Sequence, residues 1–147
     1  MDTARNVVRG AAAGSVATGA MSALMLAASR LVGEQPPDAI AKKAADAVGA
    51  SPTESQADAL AVALHMGFGA TIGAAYSLLP RVGPPVARAV AVSMAVYAAS
   101  YQGWMPALNI LPPASKDKPA RPAVMAAAHV VYGAALGLVE ERLRRRS

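Results

Sequence analysis

The chain has 147 residues, 54% of them hydrophobic and 16% charged, with a formal net charge of +5. It is too apolar for a disordered or nucleic-acid-binding tail and short enough for one domain. The lack of cysteine excludes a disulfide frame, a thiolate metal site, a cysteine nucleophile and an iron–sulfur cluster.

Charged residues avoid four stretches: Gly10 to Ser29, Ala59 to Pro80, Ala89 to Ser115 and Pro122 to Val139. Each is near or above the roughly 20 helical residues that cross a hydrocarbon core of about 30 Å. A soluble Ala-rich bundle is the competing reading, but an amphipathic helix in water returns a charge every few positions, and these stretches do not. The expected fold is therefore all-α, a polytopic membrane protein forming a single domain over 1–147. Its four transmembrane helices, expected at about 8–31, 58–80, 85–103 and 121–141, form a closely packed bundle. The first stretch follows Arg5 and Arg9 as a secretory signal would, but its length and its glycines favour a retained helix.

After the first span, Pro36, Pro37 and Asp38 start a short amphipathic helix. Ala39, Ile40, Ala44, Ala47 and Val48 recur at helical spacing opposite Lys42, Lys43 and Asp46, and Gly49 ends the helix, which is expected to lie flat on the outer membrane face. After the third span, the run from Gly103 to Pro113 holds too many breakers for a lipid-facing helix. That helix is expected to stop near Gly103, with Trp104 at the interface. Lys116, Asp117, Lys118 and Arg121 read as a solvated outer loop. The N-terminal arm (Arg5, Arg9), the middle connection (Arg81, Arg88) and the C-terminal run from Arg142 to Arg146 hold most of the unbalanced positive charge, which places both termini in the cytoplasm. The C-terminal run reads as an anchor against anionic lipid, not as a nucleic-acid contact.

Spans one, two and four each hold a G-x-x-x-G pair: Gly10 with Gly14, Gly69 with Gly73, Gly133 with Gly137. Ala91, Ala95 and Ala99 offer the same spacing in span three. In lipid, helices associate through close backbone approach, which small residues four apart permit. Whether these faces meet within one chain or across a homo-oligomer stays open at this level.

Spans two and four also share the pattern H-x-x-[FY]-G-A-x-x-G, beginning at His65 and at His129, and each follows a proline pair (Pro36, Pro37 and Pro112, Pro113). The echo suggests a tandem helix-pair repeat, 1–80 and 81–147. It also brings the only two histidines to a similar depth from the outer face. Three roles compete for them. They bond across the helix interface and fix register. They form a proton, ion or small-solute path continued by Tyr76, Tyr97, Ser100, Tyr101, Gln102 and Asn109, with Tyr132 beside His129. Or they ligate a b-type haem whose macrocycle the neighbouring glycines admit. A zinc site lacks further ligands, no metal or other cofactor is expected, and no nucleophile or phosphate-loop motif is present, so no catalytic residue is assigned.

Pro36 and Pro37, the run Tyr101 to Pro113 with Trp104, Pro106 and Leu111, and the set His129, Tyr132, Gly133, Gly137 are similar to the YagU-like small bacterial inner-membrane proteins and related domains of unknown function. The resemblance implies a four-span cell-membrane protein and supplies no activity. The expectation is a non-enzymatic structural, accessory or stress-adaptation protein whose partners are the bilayer, a second copy or a larger membrane protein. The alternatives are a small transporter or proton conductor using the His65 and His129 face, or a haem protein.

Overall fold

Proline and capping residues decide where the helices of this chain begin. The computed structural model describes residues 3–33 and 35–146. Glu34, one of the acids of the first connection, lies outside the described residues. Helix α1 runs over Thr3–Ala27, α2 is one turn at Ser29–Val32, and α3 occupies Pro36–Ala47. Pro36 and Pro37 fill the first positions of α3, where no amide partner is needed, and Gln35 and Asp38 cap each other's backbone. Helix α4, Glu54–Leu78, opens on a second capping box: Thr53 N–H donates to Gln56 Oε1 at 2.9 Å and Gln56 N–H donates to Thr53 Oγ1 at 3.4 Å. Helix α5, Pro85–Ala99, begins at another proline pair, Pro84 and Pro85. No strand occurs among the described residues.

Among the described residues three helices are long and apolar enough to cross a membrane: α1, α4 and α7, Ala120–Arg145. The expected third span is built differently. After Ala99 the chain enters a π-turn, Ser100–Trp104, and continues into the short α6, Met105–Ala107. The helix thus does not stop near Gly103, and Pro106 explains why. In an unbroken α-helix its ring would strike the carbonyl four residues back. The wider turn, in which Met105 N–H donates to Ser100 O, shifts the ladder before the proline arrives. The stop comes at Asn109, whose φ of +53° is that of a left-handed helix end. There Ile110 N–H donates to Met105 O at 2.9 Å and Asn109 N–H donates to Pro106 O at 3.1 Å.

Other boundaries also move. Helix α1 ends at Ala27, earlier than expected, because Ala28, at φ −93° and ψ 1°, leaves helical dihedrals before the single turn of α2. Helices α4 and α7 overrun the uncharged stretches, carrying Glu54 and Asp58 at one end and Glu140 to Arg145 at the other. In α3 the buried face is Pro36, Ala39, Ala41 and Ala45, while Ala44, Ala47 and Val48 look outward. Ala39 joins Met105 and Leu111 in a small apolar cluster, so α3 is docked on α4 and on the segment after the π-turn.

Antiparallel packing places the long helices in the spatial order α4, α1, α7, α5. The glycine pairs set the two outer contacts of that row. A Cβ at Gly73 would lie 2.7 Å from Gly14 Cα, one at Gly10 would lie 2.6 Å from Ser77 Cβ, and one at Gly69 would strike Thr18 Oγ1. On the other side, a Cβ at Gly133 would lie 2.5 Å from Val90 Cα and one at Gly137 2.8 Å from Pro85 O. All six glycines thus serve contacts within one chain. Ala91, Ala95 and Ala99 do not belong to this system: all three are exposed, and α5 presents Ala89 and Ser93 to α7 instead. The outward faces of the row carry large apolar groups such as Val16, Leu26, Val62 and Leu138.

Because the atoms that a Cβ at Gly73 or Gly133 would meet are backbone, they cannot swing aside. Gly73→Val and Gly133→Val should each lower thermal stability in detergent by about 1–3 kcal/mol or more. Gly67→Ala, with nothing within 4 Å of the new carbon, should leave the melting temperature unchanged or slightly raised.

Candidate functional site

Helices α4 and α5 stand at the two ends of the row and barely touch, so a cavity of about 210 Å³ opens between them, floored by α1 and α7. At the end of the row that holds the connection 79–84, Tyr76 ties α4 to the start of α5. Its hydroxyl donates to Pro85 O at 3.0 Å and accepts from Arg88 Nε at 3.1 Å, and the Arg88 guanidinium lies 4.7 Å from the ring centre. Pro36 and Pro37 of α3, with Trp104 and Met105, line the cavity toward the opposite end. The side between α4 and α5 is left to Leu64 and Phe68, which are 37% and 45% exposed. The exposed members of its lining lie on the side between α4 and α5.

Both histidines line it, together with Tyr97, Tyr101 and Tyr132. The polar groups of α5 and α7 have partners within the protein, with the hydroxyls bonded to other helices. Tyr132 donates to Gly69 O at 2.6 Å, Tyr97 to Pro122 O at 3.1 Å, and Ser93 to His129 O at 2.7 Å. His129 Nδ1 lies 2.8 Å from Met125 O; a carbonyl only accepts, so this nitrogen carries the proton. The Tyr97 ring centre is 5.3 Å from that of His129 and 5.6 Å from that of Tyr101, giving one wall a continuous aromatic surface. His65 differs from the rest: its Nε2 is buried and has no hydrogen-bond partner.

Other residues grouped with these from sequence lie elsewhere. Asn109 is exposed and serves as the helix stop, Gln102 is exposed, and Tyr76 belongs to the clasp at the start of α5. A polar line through all of them does not form. Of the six packing glycines only Gly69 lines the cavity.

Of the residues read as a solvated loop, Lys116 and Lys118 are exposed, but Asp117 and Arg121 are not. The side chains of Asp117 and Arg121 are 3% and 10% exposed, and Arg121 Nη1 donates to both carboxylate oxygens, at 2.9 and 3.0 Å. Arg121 Nε also donates to Val32 O at 3.3 Å, and Tyr101 donates to Asp117 Oδ2 at 2.5 Å. This latch joins α2, the π-turn and the start of α7 above the cavity. The i, i+4 spacing of Asp117 and Arg121 was the available signal. At the opposite end of the row, Glu140 is 1% exposed with Arg81 Nη2 3.9 Å from Oε1, and Arg9 is 7% exposed; neither burial was anticipated.

Among the described residues no group of three or more His, Asp or Glu is placed to hold a metal ion. The gaps expected beside Gly69 and Gly133 for a haem macrocycle are filled, by Thr18 and by Val90.

Burial alone would raise the Asp117 carboxyl, but hydrogen bonds from Tyr101, the Lys118 amide and Arg121 outweigh it and hold the group below its ordinary range. The unfolded chain therefore takes up this proton more readily. The latch's contribution is present above the unfolded value of about 3.9 and is lost as pH falls through the lower folded value. Asp117→Asn should cost roughly 3 kcal/mol near neutral pH, because Arg121 is left buried without its counter-charge. Thermal unfolding in detergent should show this loss, together with a flatter fall in stability below about pH 4.

Residues 4–147 match a family of unknown function, DUF6789, and the chain belongs to it. That match gives no support to the YagU-like proteins in particular. No curated protein and no solved structure matches the chain.

Proposed function

We propose that this DUF6789 protein is a four-span integral protein of a bacterial inner membrane that works without catalysis, as an accessory component holding a lipophilic molecule in a laterally open cleft. The observation that carries this reading is the apolar cavity between α4 and α5, flanked by exposed Leu64 and Phe68. Water would fill such a cleft poorly, whereas an acyl phase supplies apolar molecules sideways. A structural or stress-adaptation role is compatible with a protein that stores or presents such a molecule.

The fourth span is supported by helical backbone continuing from residue 85 to residue 107 through the π-turn. At about 1.5 Å per residue this covers a hydrocarbon core of roughly 30 Å. Cytoplasmic termini are supported by the charge distribution. The α1 start, the connection at 79–84 and the end of α7 share one end of the row, which carries Arg5, Arg81, Arg88 and the basic run from Arg142 to Arg146. The α1–α4 and α5–α7 hairpins, each joined through a glycine pair, are compatible with a helix-pair duplication. A homo-oligomer would use a face other than these glycines. A proton or ion path is less well supported, because Tyr76 and Asn109 leave the histidines without a continuous polar line.

The natural absence of cysteine makes the topology directly testable. Single cysteines at Val82 and at Lys116, both exposed, are offered to a membrane-impermeant maleimide in intact spheroplasts. Four spans predict labelling at Lys116→Cys and none at Val82→Cys until the cells are lysed. Equal labelling of the two would mean that the 85–107 segment does not cross, and recovery of the protein in the soluble fraction would end the membrane reading.

A further inference from the structure

We infer that the cavity binds the head group of a membrane quinone, with His65 Nε2 bonded to a ring oxygen and the isoprenoid tail leaving between α4 and α5. This rests on the lipophile-binding reading above and names its ligand class. Four observations lead to it.

First, of the three buried polar atoms without a partner among the described residues, Arg9 Nε, Glu140 Oε1 and His65 Nε2, only the last belongs to a residue lining the cavity, whose neighbouring polar side chains bond to the protein itself. Leaving such an atom unpaired is costly, and a ligand oxygen relieves that cost. Second, no Lys, Arg, Asp or Glu lines the cavity. A carboxylate or phosphate head would therefore enter without a counter-charge, and a neutral head is selected. Third, the wall facing α4 is a run of rings, Tyr97 against His129 and against Tyr101, with Trp104 above, a surface suited to a flat ring more than to a bare alkyl chain. Met21, Met25 and Met125 supply an adaptable floor.

The fourth observation concerns the π-turn. Ser100, only 6% exposed, lines the cavity and accepts from Trp104 Nε1 at 3.0 Å, which leaves its own hydroxyl hydrogen to donate. His65 on α4 and Ser100 after α5 thus stand on opposite walls, a pairing that suits a ring with an oxygen at each side. Ser100 falls on the same helical face as Ser93 and Tyr97 and opens the π-turn, and such turns recur where a helix carries a binding group. The size also agrees: about 210 Å³ accommodates a ring head but not a long tail, which leaves through the lateral opening.

The single tryptophan, Trp104, is a built-in reporter. Full-length protein in nanodiscs is titrated with decylubiquinone, a short-tailed benzoquinone, while Trp104 fluorescence is followed. The inference predicts saturable quenching at one quinone per chain, with affinity reduced about tenfold in His65→Leu. Ile72→Phe, which fills part of the cavity, should weaken binding with His65 intact. Dodecanol and decanoate should not displace the probe. Quenching that rises linearly with probe in wild type, or an unchanged midpoint in both variants, would overturn the inference. Displacement by dodecanol would overturn the quinone assignment while leaving a lipid-chain cleft standing, whereas failure of the membrane reading itself registers separately in the maleimide labelling.

Discussion

Everything in this fold depends on two places where helix backbones touch. At Gly14 and Gly73, and again at Gly133 against Val90, there is no room for a single extra carbon. In an acyl phase the apolar side chains gain little by leaving their solvent, so helices are held by dispersion at close range and by the few hydrogen bonds they exchange. The glycines make that range attainable for the α1–α4 and α5–α7 hairpins, and α1 and α7 then pack on each other through Ala13, Ala17, Ala128 and Leu136. With three close interfaces in a row, the two end helices have no glycine-lined contact of their own. The cavity between them is a consequence of where the small residues are.

The second constraint is the satisfaction of polar groups away from water. Hydroxyls on the spanning helices turn back to their own ladders: Ser15 donates to Ala11 O at 3.1 Å, Thr18 to Gly14 O at 2.8 Å, and Thr71 to Gly67 O at 2.8 Å. Tyrosines instead reach across helices, Tyr132 to Gly69 and Tyr97 to Pro122, so that they set spacing as well as filling volume. The ionic groups that are buried sit near the ends, in the Tyr101, Asp117 and Arg121 latch on one side and around Glu140 on the other. Among the described residues three buried polar atoms lack a hydrogen-bond partner, Arg9 Nε, Glu140 Oε1 and His65 Nε2, and of these only His65 belongs to a residue that lines the cavity.

How much of this could be read beforehand varies with the physics of each feature. Long uncharged stretches report on solvent, and they locate α1, α4 and α7 because a spanning helix must exclude charge along most of its length. They do not report where a helix ends, since Glu54 and Arg145 extend theirs into the polar zone. The passage through Gly103 was hidden because Pro106 normally argues for a stop, and only the compensating π-turn allows the helix to continue. Spacing reveals that a glycine pair can accept a close neighbour but not which helix that is, and the same spacing in Ala91, Ala95 and Ala99 marks an exposed face. Asn109 looked like a member of a polar path and is a left-handed helix end, a role its composition does not distinguish. Asp117 and Arg121 looked like surface charge because their burial depends on α2 and the π-turn, which are distant in sequence.

The central claim is that the opening between α4 and α5 is bathed by acyl chains. Nitroxide labels placed singly at Phe68 and Val96, on the two lips of the cleft, report on this in nanodiscs through collision with oxygen dissolved in the bilayer and with a water-soluble nickel chelate. The account predicts strong relaxation by oxygen and little by the chelate at both positions. Dominant relaxation by the chelate would show an aqueous groove and contradict it.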